Sequence, residues 1–305
     1  PRPLLPNLSF KILQGDSLVQ ELGGVNLAHL KAEADISNET KSEVRRLRSQ
    51  KLEFYDADHQ YSLEEQEQLR LQERNLFLRI CRDKRDGLCK RIREIERKLK
   101  EIRPTLIGQE QAVQGKEREE LQQQRAELEA QLENLEKVLK AIRNEGPVPF
   151  VWDLSFVEIF EGDRKGFDIV IGNPPYVRQE RIADPQGRQE RGHYKDKLKK
   201  SVYAAFPNYF GADPDHPVVP LPGTCDYYIY FYFQGLSLLN SNGAFCFVTS
   251  NSWLDVRYGK VLQEFLLRQV PIHLIVDNQV RRSFANADVN TVIVLLGAPR
   301  SEGDA

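Results

Sequence analysis

Apolar residues follow two different rhythms along this chain. Between residues 31 and 146 they recur at helical spacing: Leu88, Ile92, Ile95, Leu99 and Ile102 are separated by steps of four and three. Pro104 and Gly108 break the pattern. Leu121, Leu128, Leu132, Leu135, Leu139 and Ile142 resume it, with Arg125 in one polar seam position. Such spacing lines up apolar side chains on one stripe of a helix, and a breaker between two stripes lets the second pack back on the first. The pattern predicts an antiparallel coiled-coil hairpin, ended by Gly146-Pro147-Val148-Pro149. A leucine seam of this kind is helix packing, not a ligand site.

After residue 150 the rhythm shortens. β-rich runs at 167–171, 243–249, 272–276 and 289–296 alternate with helical ones at 226–239 and 260–268. This alternation predicts a mostly parallel sheet covered by helices. Ligands in such sheets bind beyond the carboxyl ends of the strands, where Asn173, Ser250-Asn251-Ser252-Trp253 and Asp277-Asn278 fall. Near the start, Phe10-Lys11-Ile12-Leu13 reads as one more strand, closed by Gly15-Asp16-Ser17. The expected organisation is an α/β core in two pieces, 1–30 and 147–305, around a helical insertion at 31–146.

Composition narrows the classes. The chain is 40 % hydrophobic and 29 % charged, with a net charge of -2, so any basic face for nucleic acid must be local. One such stretch exists. From Arg178 to Lys200 the basic residues are 178, 181, 188, 191, 195, 197, 199 and 200, against acidic 180, 184, 190 and 196. A solvated loop is the competing reading of that stretch. No run reaches the length of about eighteen apolar residues that spans a membrane, and no secretory signal opens the chain. A cytoplasmic location is expected. Cysteines 81, 89, 225 and 246 form no C-x-x-C pair, and the five histidines show no metal-ligand spacing. The chain begins at Pro1 and contains no methionine. That predicts a fragment of a longer protein, or a sequence from which modified residues are omitted.

The candidate chemistry lies in "GFDIVIGNPPYVRQE", residues 166–180. An apolar strand ends in Gly172 and runs into Asn173-Pro174-Pro175-Tyr176. Two prolines fix two φ angles and remove two backbone donors. The Asn side-chain oxygen and a proline carbonyl are then acceptors with no competing donor. Together they suit an NH2 group, and the tyrosine offers a face for a planar ring. The tetrad therefore fits a planar substrate bearing an exocyclic amine or amide.

"FDIVIGNPPY" resembles motif IV of amino-methyltransferases that use S-adenosylmethionine. The chain as a whole is similar to the gamma-class N6-adenine DNA methyltransferases of type II restriction-modification and phage-defence enzymes. "FKILQGDSL" (10–18) is similar to motif III, "CDYYIYFYFQGLSLLNSNGAFCFVTSNSWL" (225–254) to motifs V and VI, and "RRSFANADVNTVIVLL" (281–296) to motif VIII with its following strand. The resemblance implies a Rossmann-like methyltransferase fold, a bound S-adenosylmethionine and double-stranded DNA with a flipped adenine. It implies that the base stacks on Tyr176 while its amine donates to Asn173 and the Pro174 carbonyl. Asp16 would contact the cofactor's adenine amine. Phe284 and Trp253 are candidate walls of the base pocket, with a place in the core as the competing reading of Phe284 and the preferred reading of Trp253. Arg178, Arg181, Arg188, Arg191, Lys195 and Lys197 are candidate phosphate contacts.

The sequence departs from that family in two ways. The glycine-rich cofactor motif and the acidic residue that would hold the ribose are absent, and "ELGGVN" (21–26) does not replace them. The first two strands of the sheet are then missing, which predicts weak or absent cofactor binding and no turnover for this chain alone. The helical insertion is the second departure, and a structural arm or a surface for a partner subunit or domain is expected of it. No target-recognition domain and no nuclease constellation can be read. The rival readings are a protein glutamine N-methyltransferase and a non-catalytic DNA-binding or structural subunit.

Overall fold

The computed structural model describes residues 10–22, 25–26, 36–55, 62–102, 109–143, 148, 150–185, 187, 190–278 and 290–300. They belong to two compact units. One holds the segment up to Gly15 and residues 20–158; the other holds Asp16–Val19 and the chain from Ile159 onward.

The first unit is helical. β1 (Glu21–Leu22) and β2 (Val25–Asn26) form a minimal antiparallel ladder. Then come α1 (Asn38–Tyr55), α2 (Leu63–Glu101), α3 (Gln109–Arg143) and the single turn α4 (Trp152–Ser155). Ser62 and Glu65 form a reciprocal capping box at the start of α2. Contacts between α2 and α3 are antiparallel: Arg74 donates to the Ile142 carbonyl, and Arg125 pairs with Glu96 at 3.4 Å. The expected seam is the buried one, with Leu88, Ile92, Ile95, Leu135, Leu139 and Ile142 inside. Helix α1, which the seam did not announce, packs on α2 through Leu47 and Phe54. Lys51 is fully buried among them. Its ammonium lies 2.5 Å from Glu73 and 3.6 Å from Glu158, and donates to the Ser155 carbonyl at 2.6 Å.

The expected strand at residues 10–13 does not form: these residues run as a turn and bend, with Phe10 at positive φ. A strand needs neighbours to satisfy its backbone, and this segment has no ladder partner. Phe10 instead stacks edge-on against Phe54 at 5.2 Å.

The second unit is mixed α/β. After α5 (Val157–Phe160), which crosses the boundary, come β3 (Phe167–Gly172), α6 (Arg191–Ala205), α7 (Pro207–Phe210), α8 (Tyr227–Ser237), β4 (Leu239–Ser250), α9 (Ser252–Asp255), α10 (Lys260–Gln269), β5 (Ile272–Asp277) and β6 (Thr291–Gly297). The sheet order is β3-β4-β6-β5. The pairing corrects the expectation of a mostly parallel sheet: β3–β4 is parallel, while β4–β6 and β6–β5 are antiparallel. Strands β3, β4 and β5 do point the same way. The reversed β6 lies between β4 and β5 and converts both of its ladders to antiparallel ones.

One face of the sheet carries the core. Phe245 and Phe247 of β4 and Val292, Val294 and Leu296 of β6 pack with Tyr232, Phe233 and Leu236 of α8 and with Phe265 and Leu266 of α10. Gly235 lets α8 approach, since a Cβ there would meet the Phe245 ring at 2.6 Å. Helix α8 is apolar nearly all round, as a buried helix must be. Most of its tyrosine hydroxyls find partners: Tyr227 with Tyr194, Tyr228 with Tyr258, and Tyr232 with Thr249. The opposite face is open at Ile169 and Ile171, which are 67 % and 77 % exposed. The apolar strand at 167–171 is therefore an edge strand with one bare face, not a buried one.

Candidate active site

The tetrad sits where the sequence places it, beyond the carboxyl end of β3. Strands β4 and β5 end at the same edge, and there the Asn251 amide donates to Asp277 at 3.1 Å. Gly172 closes β3 because the Phe247 ring lies under it: a Cβ would stand 2.9 Å from Phe247 Cε1.

Within the tetrad the two proline carbonyls differ. The Pro175 carbonyl accepts the Val177 N–H at 2.9 Å, which closes a tight turn. Among the described residues, no hydrogen bond reaches the Pro174 carbonyl or the Asn173 side chain. Asn173 is exposed and Pro174 buried. Two acceptors thus stay open one residue apart. The Tyr176 ring is half-buried, and its hydroxyl donates to the Val248 carbonyl at 3.3 Å. Burial raises its pKa, so the phenol is neutral at neutral pH.

The exit from the tetrad is clamped by the start of α8. The Tyr227 N–H donates to the Val177 carbonyl at 3.0 Å, and the Gln179 N–H to Asp226 Oδ1 at 3.0 Å. The other Asp226 oxygen accepts the Tyr258 hydroxyl at 2.7 Å. Asp226 precedes a helix but makes no cap bond to it; its carboxylate holds the loop instead. These residues were not singled out by sequence reasoning. Their one signal was an aspartate at the start of an aromatic helix, forty-seven positions from Gln179.

Asp16 belongs to this unit. Its Oδ1 accepts the Leu18 and Val19 amides at 2.9 and 3.1 Å, and its Oδ2 accepts the Tyr194 hydroxyl at 2.9 Å. The basic stretch divides. Arg178, Arg181 and Arg191 are exposed, although Arg191 also reaches the Glu180 carbonyl at 3.2 Å. Lys197 is half-buried. Lys195 is already engaged: it donates to Gln179 Oε1 at 3.0 Å and to the Gly223 carbonyl at 2.7 Å. Burial with Lys199 beside it lowers its pKa. Lys195 is thus a staple of the loop rather than an open phosphate contact. Trp253 takes the core position that its sequence context favours over a pocket wall. It is 2 % exposed and packs on Tyr232 at 5.7 Å, so no ring face is left for a base. Phe284 and Arg188 lie outside the described residues.

The second unit thus joins a mixed α/β sheet to an Asn-Pro-Pro-Tyr turn beyond the end of an edge strand. Residues 53–210 and 221–284, more than half of the chain, match the Eco57I restriction-modification methylase model, and the chain belongs to that family. It is 30 % identical over 120 residues to the type II methyltransferase M.BstVI of Geobacillus stearothermophilus, covering 39 % of this chain and 17 % of the relative. It is 27 % identical over 111 residues to M.PaeR7I of Pseudomonas aeruginosa, covering 36 % and 15 %. To M.HincII of Haemophilus influenzae it is 26 % identical over 120 residues, covering 39 % and 19 %. The matched stretch spans less than a fifth of each of these relatives.

Proposed function

We propose that this chain carries the base-binding half of a DNA adenine-N6 methyltransferase of a restriction-modification system. The observation that carries the reading is the pair of open acceptors, Asn173 Oδ1 and the Pro174 carbonyl, beside the anchored Tyr176 ring. An exocyclic amine held by both acceptors keeps its lone pair turned toward an electrophile. The base reaches this loop only when flipped from the duplex, and Tyr176 then stacks on it. Phe284 is proposed as a second wall of the pocket. The exposed guanidinium groups of Arg178 and Arg181, just after the tetrad, and of Arg191, at the start of α6, suit DNA phosphates.

S-Adenosylmethionine fits the residues present at one point: among the described residues Asp16 Oδ2 has a single partner and can accept another donor, as a cofactor amine requires. Bound there, it would supply an electrophilic methyl carried on a sulfonium. The sequence holds no glycine-rich loop for the rest of the cofactor. We therefore propose that the chain works as the C-terminal part of a longer catalytic domain. The antiparallel pair α2–α3 is proposed as an arm for a neighbouring domain or subunit.

The test supplies the full-length protein with methyl-labelled S-adenosylmethionine, unmodified duplex DNA and, in parallel, a glutamine-bearing peptide. Label in the adenine amine of the digested DNA is expected. Label in the peptide amide alone would select a protein substrate, and label in neither would select a silent scaffold.

A further inference from the structure

We propose that Tyr194, backed by Tyr227, is a positioning residue that aims the Asp16 carboxylate at the cofactor and couples it to the exit of the Asn173 loop. The proposal rests on the reading of Asp16 as a cofactor contact.

Tyr194 is fully buried on α6, so its ring cannot swing away. Its hydroxyl lies 2.9 Å from Asp16 Oδ2 and 3.0 Å from the Tyr227 hydroxyl. A carboxylate only accepts, and a tyrosine has one proton. The Tyr194 proton therefore goes to Asp16, and Tyr227 donates to the Tyr194 oxygen. Burial raises the pKa of both phenols, which keeps both protons in place.

The accounting of lone pairs at Asp16 gives this chain its consequence. A carboxylate offers about four acceptor sites. Among the described residues, the Leu18 and Val19 amides fill two on Oδ1, and Tyr194 fills one on Oδ2. The acceptor site left for a ligand N–H is on the oxygen that Tyr194 grips, so Tyr194 sets its direction. Tyr227 extends the line. Its backbone N–H donates to the Val177 carbonyl, the residue after Tyr176. Asp16, α6, α8 and the tetrad exit are thus joined by three consecutive hydrogen bonds. Transfer between a bound donor and a bound acceptor depends steeply on their mutual placement, and this line fixes one against the other.

The test uses the full-length enzyme and its Tyr194→Phe, Tyr227→Phe, Asp16→Ala and Tyr194→Phe/Asp16→Ala variants. Binding of S-adenosylmethionine is read by calorimetry in the absence of DNA, folding by thermal melting. The expected result is an affinity loss of about tenfold for Tyr194→Phe, the weight of a hydrogen bond to a charged group, and a smaller loss for Tyr227→Phe. In the Asp16→Ala background, Tyr194→Phe should cost no further affinity, because the two act through one contact. A folded Tyr194→Phe with wild-type affinity overturns the proposal, as does full additivity with Asp16→Ala. An Asp16→Ala variant with undiminished affinity overturns the assignment of Asp16 and the proposal with it. Wild-type protein that binds no S-adenosylmethionine at all contradicts the methyltransferase reading itself.

Discussion

A single methyl group decides the local geometry at Gly172. An alanine there places Cβ 2.9 Å from the Phe247 ring, which is itself packed against Phe245 at 4.1 Å. Both rings are buried. Gly172→Ala should cost about 1–3 kcal/mol, read from denaturant unfolding, and should displace Asn173. An unchanged midpoint would show that the ring yields. A second residue-scale prediction concerns Lys84, buried on α2. Burial, with Arg91 adding repulsion, lowers its pKa to about 8. The folded state then binds fewer protons than the unfolded chain between pH 8 and the ordinary lysine value, so Lys84 contributes stability that rises with pH across that window. Lys84→Met should remove this slope, seen as a wild-type-minus-variant difference in unfolding free energy between pH 8 and 10. At this scale the position of the tetrad beyond β3 was legible because an apolar run leads straight into it. Tyr194 and Asp226 were not, since each acts on a residue distant in sequence. Lys195 was misplaced for the same reason: its type suggested an open phosphate contact, and Gln179 and the Gly223 carbonyl occupy it.

At the scale of elements, the helical repeat was legible because a 3–4 spacing of leucines has few other uses. The strand at 10–13 failed because a strand is completed by its neighbours and not by its own propensity. Helix α1 lacked a leucine seam; Leu47 and Phe54 pack it on α2, and a buried cation ties it further. Lys51 joins α1 to Glu73 of α2 and to Ser155 and Glu158 near α4. Removing one partner of a buried ion pair strands the others and costs about 3–5 kcal/mol. Lys51→Met should destabilise the helical unit by that order, measured by thermal or denaturant unfolding. Adding Glu73→Leu should restore part of the loss. If Lys51→Met alone is neutral, the cluster does not help to hold α1.

For the whole molecule, the bare sheet face has consequences in solution. Ile169, Ile171, Leu274, Val276 and Ile293 are all exposed, and the strand pairing puts them on one side. Contiguous apolar surface of this kind drives association. The isolated chain should therefore self-associate with rising concentration in sedimentation velocity, and Ile171→Lys should reduce that association. A monomer at all concentrations would contradict it. The positions of the strands along the chain after residue 150 were legible from the alternation of runs. The reversal of β6 was not, because periodicity reports which residues face a core and says nothing of strand direction.

Asn173 and the Pro174 carbonyl are proposed to hold an amine for methylation. This role is tested most directly by single-turnover methylation of duplex DNA with the full-length enzyme and its Asn173→Ala variant, with N6-methyladenine as the readout. The account predicts methyladenine from the wild type and a loss of at least about a hundredfold in the variant, on the scale of losing a preorganised contact in the transition state, with S-adenosylmethionine affinity unchanged. Equal methylation by the two proteins would contradict it.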